Sequence, residues 1–205
     1  MKLYYSHLSP FTRKVLATAI IAGLFDKIEI IDLMSPSGAF VPTDEFKKAN
    51  PLAKIPAMVL DNGEAVVDSP VICEYVDSKS VKGSAYPKDE DAYFLQKKFE
   101  AIADGCMDAA VLRRYESLRP IEKQSADFDA KQKEKMTLSF QYFESMVSTL
   151  GTEVFYIGEI SIVSMIGYID VRFAAENWLS TTPNLKKWYD QVSQNPLFTR
   201  TAPKK

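Results

Sequence analysis

The stretch Asn50-Pro51-Leu52-Ala53-Lys54-Ile55-Pro56-Ala57-Met58-Val59-Leu60 decides the fold, because it sets a proline at the head of a β-prone run. Proline donates nothing to a strand ladder, so Pro56 belongs at the first residue of a strand rather than inside one. A cis Ile55–Pro56 bond fits that place, since the cis form of an X–Pro bond costs only about 0.5–1 kcal/mol. Such a bond is expected to turn the N–H and C=O of Ile55 outward, free to pair with an extended peptide. Asp61-Asn62-Gly63-Glu64 follows and reads as a two-residue hairpin, with Asn62 and Gly63 in the positions that need positive φ. Ala65-Val66-Val67 is the return strand. Ser69 then caps a helix whose first position is Pro70, where a missing N–H is no loss. A peptide-pairing edge and a helix N-terminus that favours anions thus fall within about fifteen residues, roughly 10–15 Å apart across a tight hairpin.

Upstream, Leu3-Tyr4-Tyr5 is a short strand ending in the polar loop Ser6-His7-Leu8. Ser9-Pro10 repeats the device of a capping hydroxyl followed by proline. Phe11, Val15, Leu16, Ala19, Ile20 and Leu24 recur at helical spacing and form one buried stripe, with Gly23 near its end. Ile28 to Asp32 is a second strand, and strand-helix-strand over this length implies a parallel pair. Met34 to Pro42 is a loop, and Thr43 caps a short helix through Ala49 with acids in its first turn. After the hairpin comes a helix from Pro70 to Ser78 with Val71, Ile72, Tyr75 and Val76 inward. The order βαβ, short α, ββα is α/β, with a mixed sheet and helices on both faces.

Ser80 to Lys88 is polar and reads as a linker; beyond it the chain is all helix. A long helix runs from Asp89 to about Leu118, stopped by Pro120. Met136, Phe140, Phe143, Val147 and Leu150 alternate at four and three, as on a bundle seam, until Gly151. Ile162, Met165, Ile166, Ile169 and Phe173 form a core helix with Ser161 as its cap. Leu185, Trp188, Tyr189 and Val192 form the last helix, opened by Pro183. The expectation is two domains: 1–79, linked through 80–88 to an all-α unit over 89–205.

Among 205 residues, 46% are hydrophobic, which supports a packed core, and the net charge of −2 gives no footprint for nucleic acid or an anionic membrane. Cys73 and Cys106 are too few and too far apart for a disulfide framework or metal site, and read as buried thiols. His7 is the only histidine, which argues against a histidine triad or metal cluster. The N-terminus has no apolar signal core, and the longest apolar stretch, Val15 to Phe25, is too short to span a bilayer. A soluble cytoplasmic protein is the expectation.

Residues 50–77 resemble the glutathione site of cytosolic glutathione transferases of the bacterial type: Asn-Pro, a Val/Ile-Pro, a hairpin, then Glu/Asp-Ser and a helix. Gly167 to Phe173 is also similar to bacterial members. The resemblance extends over nearly the whole chain and implies a thioredoxin-like N-terminal domain followed by an all-helical bundle. It also implies a homodimer, glutathione as co-substrate and no metal. Two departures stand out. Ala53 occupies a place where glycine is frequent, and Ser164 stands where the family's core helix carries the aspartate of a Ser-x-x-Asp capping box, without the charge that favours a helix start.

Carried over residue by residue, Ser69 and the N–H groups after it suit the γ-glutamyl carboxylate, and Asp68 its ammonium group. The backbone of Ile55, before Pro56, suits the peptide, and Lys54 the glycine carboxylate. Ser9 is the first choice for the thiol-activating group, because Ser-Pro-Phe lies where related classes carry Cys-Pro-Phe or a catalytic serine. A hydrogen bond to a charged acceptor is worth about 1.5–3 kcal/mol, or roughly one to two pKa units of thiol acidity. A hydroxyl there cannot form a mixed disulfide. Tyr5 competes, other classes using a tyrosine at the end of the first strand, and plain capping by Ser9 with Tyr5 an ordinary strand aromatic is the third reading. Asp104 is implied to approach the glutathione of the neighbouring subunit. A second substrate between the domains is expected to meet Leu8, Phe11, Met107, Val111 and Tyr115. Arg113 and Arg114 are adjacent, so only one of them faces that pocket, for an acidic electrophile or as a surface ion pair. The implied function is thiolate stabilisation for attack on a small, largely apolar electrophile in detoxification. The alternatives are a transferase-like regulator without turnover and a glutathione-dependent isomerase or dehalogenase.

Overall fold

The computed structural model describes residues 1–37 and 39–203. Its first half comprises β1 (Lys2–Tyr5), α1 (Pro10–Ile21), β2 (Glu29–Asp32), α2 (Asp44–Ala49), β3 (Ala57–Val59), β4 (Ala65–Val66) and α3 (Ser69–Ser78). The sheet order is β2-β1-β3-β4; β1 pairs parallel with β2, and the other two pairs are antiparallel. Strand alternation sorts the two faces. Leu3 and Met58 join the core shared with α1 and α3, while Tyr4 and Ala57 pack against Phe46 of α2. This is the thioredoxin-like arrangement, and the Ile55–Pro56 bond is cis.

The hairpin departs from expectation. Only Gly63 is left-handed, at φ 86°, and the N–H of Leu60 donates to the C=O of Glu64, leaving a three-residue loop. The Asn62 side-chain oxygen accepts from the Glu64 N–H at 3.0 Å, an Asx turn that needs no positive φ at Asn62. The return strand stops at Val66, and Val71 points to solvent rather than inward.

The second half is helical: α4 (Glu90–Ser117), α5 (Ala126–Met146), α6 (Ile157–Arg172), α7 (Pro183–Val192) and the short α8 (Pro196–Thr199). Helix α6 starts four residues ahead of the expected cap. Glu159, 1% exposed, accepts from the N–H groups of Tyr156 and Gly151 and from the Gln96 amide, closing the helix start. Ser161 lies inside the helix and donates to the Ile157 C=O. Ser164 is likewise interior and buried. Among the described residues no helix is long and apolar enough to cross a membrane.

Helix α1 packs against both α3 and α6 and is therefore buried on nearly every side from Thr12 to Ala19. Its two basic residues bind across the halves. Arg13 donates to the C=O of Val163 (3.0 Å) and of Phe198 (3.1 Å). Lys14, 0% exposed, sits 2.9 Å from Glu100 and 2.6 Å from Asp104 on α4.

Candidate functional site at the open end of the sheet

Strand register gathers the candidate residues at one end of the sheet. Continuing the β3–β4 pairing beyond Met58–Val66 sets Pro56 opposite Asp68 and Ile55 opposite Ser69. Continuing β1–β3 sets Tyr5 opposite Pro56 and Ser6 opposite Ile55, so the Ser6 to Ser9 loop and the start of α1 rise from the same end.

Ser69 is not the cap of α3. Asp68 takes that place, its carboxylate accepting from the Ser69 N–H, and Ser69 is the first helical residue. The Ser69 hydroxyl is 1% exposed and has no hydrogen-bond partner among the described residues. It lies beside a helix N-terminus whose free N–H groups favour an anion. Ile55 precedes β3 and stands outside its ladder, and Lys54 next to it is exposed. The Lys54 C=O is held at 2.6 Å by the Asn50 side-chain amide, which fixes the loop leading to the cis bond. Ala53 is left-handed at φ 49°, a conformation that glycine adopts at no steric cost.

Ser9 caps α1, accepting from the Thr12 N–H at 3.2 Å, with its own O–H proton left over. Tyr5 is half-buried on the α1 side of β1. Burial and the Asp32 carboxylate hold its hydroxyl above the usual phenol range. Cys73 and Cys106 are free and buried, and burial pushes both thiols up to about 12.

Asp104 lies below this end. One carboxylate oxygen is held by Lys14, and the other has no partner among the described residues. Burial pushes the carboxyl up to about 6 against the pull of Lys14, with Glu100 and Asp68 adding to the push. Asp108, one turn further along α4, feels Lys54, Asp68 and Lys14. Its place near the site, like the interior roles of Arg13 and Lys14, had no signal in the spacing.

A crevice of about 10 Å³, the space of about one water, lies beside Ser9, with Leu8 and His7 on one wall and Ser164 and Tyr168 of α6 on the other. Leu8 lines this crevice as expected, while Phe11 is half-buried against the core. Met107 does not line it: at 0% exposure its side chain belongs to the core between α4 and its neighbours. Val111 is half-buried and Tyr115 is 65% exposed, the latter acting on the Tyr168 hydroxyl. Arg113 faces the bundle, paired with Asp129 (2.8 Å) and Glu176 (3.0 Å) and stacked on Phe173. Arg114 is half-buried, and its charge is felt at the Tyr168 hydroxyl. A larger cleft, about 360 Å³, at the N-terminus of α6 is lined by Gln96, Gly151, Tyr156 and Glu159 and shares no residue with the Ser9 crevice.

Residues 8–79 match the glutathione S-transferase N-terminal domain family. Over 208 residues the chain is 33% identical to the uncharacterized GST-like protein YibF of Escherichia coli K12, covering 100% of both chains. It is 25% identical to glutathione S-transferase L1 of Arabidopsis thaliana, over 98% of this chain and 81% of that one. Among solved structures it is similar to a glutathione transferase family member from Pseudomonas fluorescens Pf-5 with bound glutathione. That match has 33% identity, spans 100% of this chain and 99% of the other, and reaches a TM-score of 0.91. The Pseudomonas protein with bound S-(propanoic acid)-glutathione matches over 100% of both chains at 33% identity, with a TM-score of 0.87. A full-length relative at this identity and the two-part architecture lead to one conclusion: the chain belongs to the glutathione transferase family.

Proposed function

We propose that this protein binds glutathione, stabilises its thiolate and joins it to a small electrophile that approaches between the two halves beside Ser9. The observation that carries the reading is the Ser69 hydroxyl, buried without a partner at the start of α3 and opposite Ile55 in register. A buried polar group left unpaired costs about 1–3 kcal/mol, and a γ-glutamyl carboxylate bridging that hydroxyl and the adjacent N–H groups removes the cost. Asp68 takes the ammonium group, the backbone of Ile55 the peptide, and Lys54 the glycine carboxylate.

Ser9 supplies the activating hydrogen bond: its oxygen is already committed to Thr12, so its proton is free for a thiolate. Tyr5 is the weaker candidate, since burial and Asp32 both disfavour negative charge next to its hydroxyl. No competing thiolate arises from Cys73 or Cys106, whose thiols lie near 12. The Pseudomonas relative is known with bound glutathione and, in a second structure, with bound S-(propanoic acid)-glutathione, which supports binding of the co-substrate and of a thioether by this chain. We place the activity in the cytoplasm, where thiols stay reduced, and assign it to detoxification of electrophiles.

A homodimer completes the reading. Phe94 (61% exposed) precedes Lys97 by one turn on α4 and Val71 (52% exposed) precedes Glu74 by one turn on α3, and we take the exposed surface around the Lys97–Glu74 ion pair as the two-fold contact. A two-fold contact there would bring Asp104 of one subunit toward the other's glutathione. Saturating glutathione, at a hundred times its dissociation constant, is expected to stabilise the fold by about 2.7 kcal/mol, read as a rise in melting temperature. Turnover of a standard aromatic electrophile separates a transferase from a regulator with the same site. No thermal shift at millimolar glutathione would remove the proposal.

A further inference from the structure

Tyr168 forms the α6 wall of the Ser9 crevice and is 7% exposed. Burial raises its hydroxyl above the usual range even though Arg172 and Arg114 pull it down, so it stays protonated and neutralises neither arginine. Arg172 follows Tyr168 by one helical turn on the same face, its guanidinium carbon 6.0 Å from the Tyr168 ring centre. Its Nε is buried and has no hydrogen-bond partner among the described residues. Arg114 lies on α4, and the one bond its guanidinium makes among the described residues is a long one, 3.5 Å, to the Ser117 hydroxyl.

Of the other four arginines, Arg200 lies over the Phe25 ring, away from Ser9, and three are bonded. Arg13 is bound to two carbonyls, Arg113 to two carboxylates, and Arg119 to Glu116. Neither Arg114 nor Arg172 has a carboxylate within ion-pair distance among the described residues. Arg172 thus holds a half-buried guanidinium over a neutral phenol with no anion beside it, Arg114 adds a second positive charge from α4, and guanidinium pairs carboxylate in a two-bond geometry that ammonium does not reproduce.

We propose that the electrophile carries a carboxylate, which Arg172, one turn beyond the Tyr168 wall, and Arg114 receive beside Ser9. The proposal rests on the transferase reading above and names its substrate class. Glutathione's own carboxylates belong on the other side of Ser9, at the start of α3 and beside Lys54, so the arginines serve the group attached to sulfur. Sequence spacing left the choice between Arg113 and Arg114 open, and the pairing of Arg113 with Asp129 and Glu176 settles it.

Isothermal titration with three ligands tests this: glutathione, S-butylglutathione and S-(2-carboxyethyl)glutathione, the last two close in size and differing in charge. The carboxyethyl thioether is expected to bind about tenfold or more tightly than the butyl one, in line with a charge-assisted pair. In Arg172→Met the preference should fall to a few-fold, and in Arg114→Gln/Arg172→Met it should vanish, with glutathione affinity held within about twofold. Retained glutathione affinity shows that each variant is folded, and Arg172→Lys should keep part of the preference. Equal binding of the two thioethers by the parent protein overturns the carboxylate proposal and leaves the transferase reading standing. A preference that survives in the double variant overturns the assignment to these arginines. No binding of any of the three ligands overturns both readings together.

Discussion

Two helices in this chain open on serine followed by proline, and the two serines are put to opposite uses. Ser9 lies one residue outside α1 and gives its oxygen to the Thr12 N–H. Ser69 lies one residue inside α3, because Asp68 has taken the capping place, and its hydroxyl is left buried and unpaired. A shift of a single residue therefore separates a serine that completes a helix from one whose hydroxyl is left over. On the proposed reading, the same dipeptide would yield a ligand anchor at one helix start and a proton donor at the other.

The strongest way to break the comparison is to remove what holds α1 against the second half. Lys14→Met would leave Glu100 and Asp104 as buried carboxylates without their shared cation, and loss of one partner of such a pair costs about 3–5 kcal/mol. Chemical denaturation should show a drop of that order, with α1 and its Ser9 cap loosened before α3.

Ser69→Ala separates binding from folding. Glutathione affinity should fall on the order of 10–100-fold, matching a lost hydrogen bond to charge, while the unfolding midpoint stays close to that of the parent because no protein bond is removed. Calorimetry and a denaturation curve on the same preparation decide it. A stability loss as large as the affinity loss would return Ser69 to the role of a cap.

Ser9→Ala should show the complementary pattern. Turnover should fall by about 10–100-fold with glutathione affinity within a few-fold, and the missing cap should cost about 0.5–2 kcal/mol of stability. The bound thiol's pKa, followed by thiolate absorbance, should rise by about one to two units. Ser9→Thr keeps both hydroxyl and cap and should retain most activity. If Tyr5→Phe is the crippling change instead, the activating role passes to Tyr5.

The smallest expected effect lies at Ala53, whose φ of 49° is the conformation that glycine tolerates freely. Ala53→Gly should stabilise the fold by about 0.5–1 kcal/mol, the left-handed strain outweighing the extra freedom of the unfolded chain. A melting temperature unchanged or lowered would mean that the loop relaxes around alanine at no cost.

The first half of the fold was legible because its punctuation is local. Pro56, the Asn62-Gly63 turn and the Ser-Pro helix starts each constrain the backbone within a few residues. The one-residue error at Ser69 arose because Asp68 and Ser69 are both good caps, and sequence alone does not rank two neighbours. The start of α6 was misplaced because its residues 157 to 169 are all buried, so no polar face marks its phase. Arg13 and Lys14 lie outside the apolar stripe of α1, and they are buried because the second half of the chain covers that helix. Met107 was misassigned for a related reason: α4 is packed along much of its length, and spacing does not say which neighbour a buried side chain meets. The Tyr168 and Arg172 wall comes from a helix more than 150 residues downstream of Ser9, beyond the reach of any local motif.

The carboxylate of Asp104 has a further consequence, since its pKa near 6 in the native state stands above the roughly 3.9 of an unfolded aspartate. Between those two values the folded molecule holds about one proton that the unfolded chain has released. By linkage, this group's contribution to stability is complete below the unfolded value and is lost as pH climbs through the folded one. Mild acid therefore tightens the seam between the halves at this residue, the opposite of the trend set by ion-paired carboxylates such as Glu176, whose pKa is lowered. Between about pH 4 and 6, the joint between the two domains therefore takes up a proton from the surrounding buffer when the chain folds.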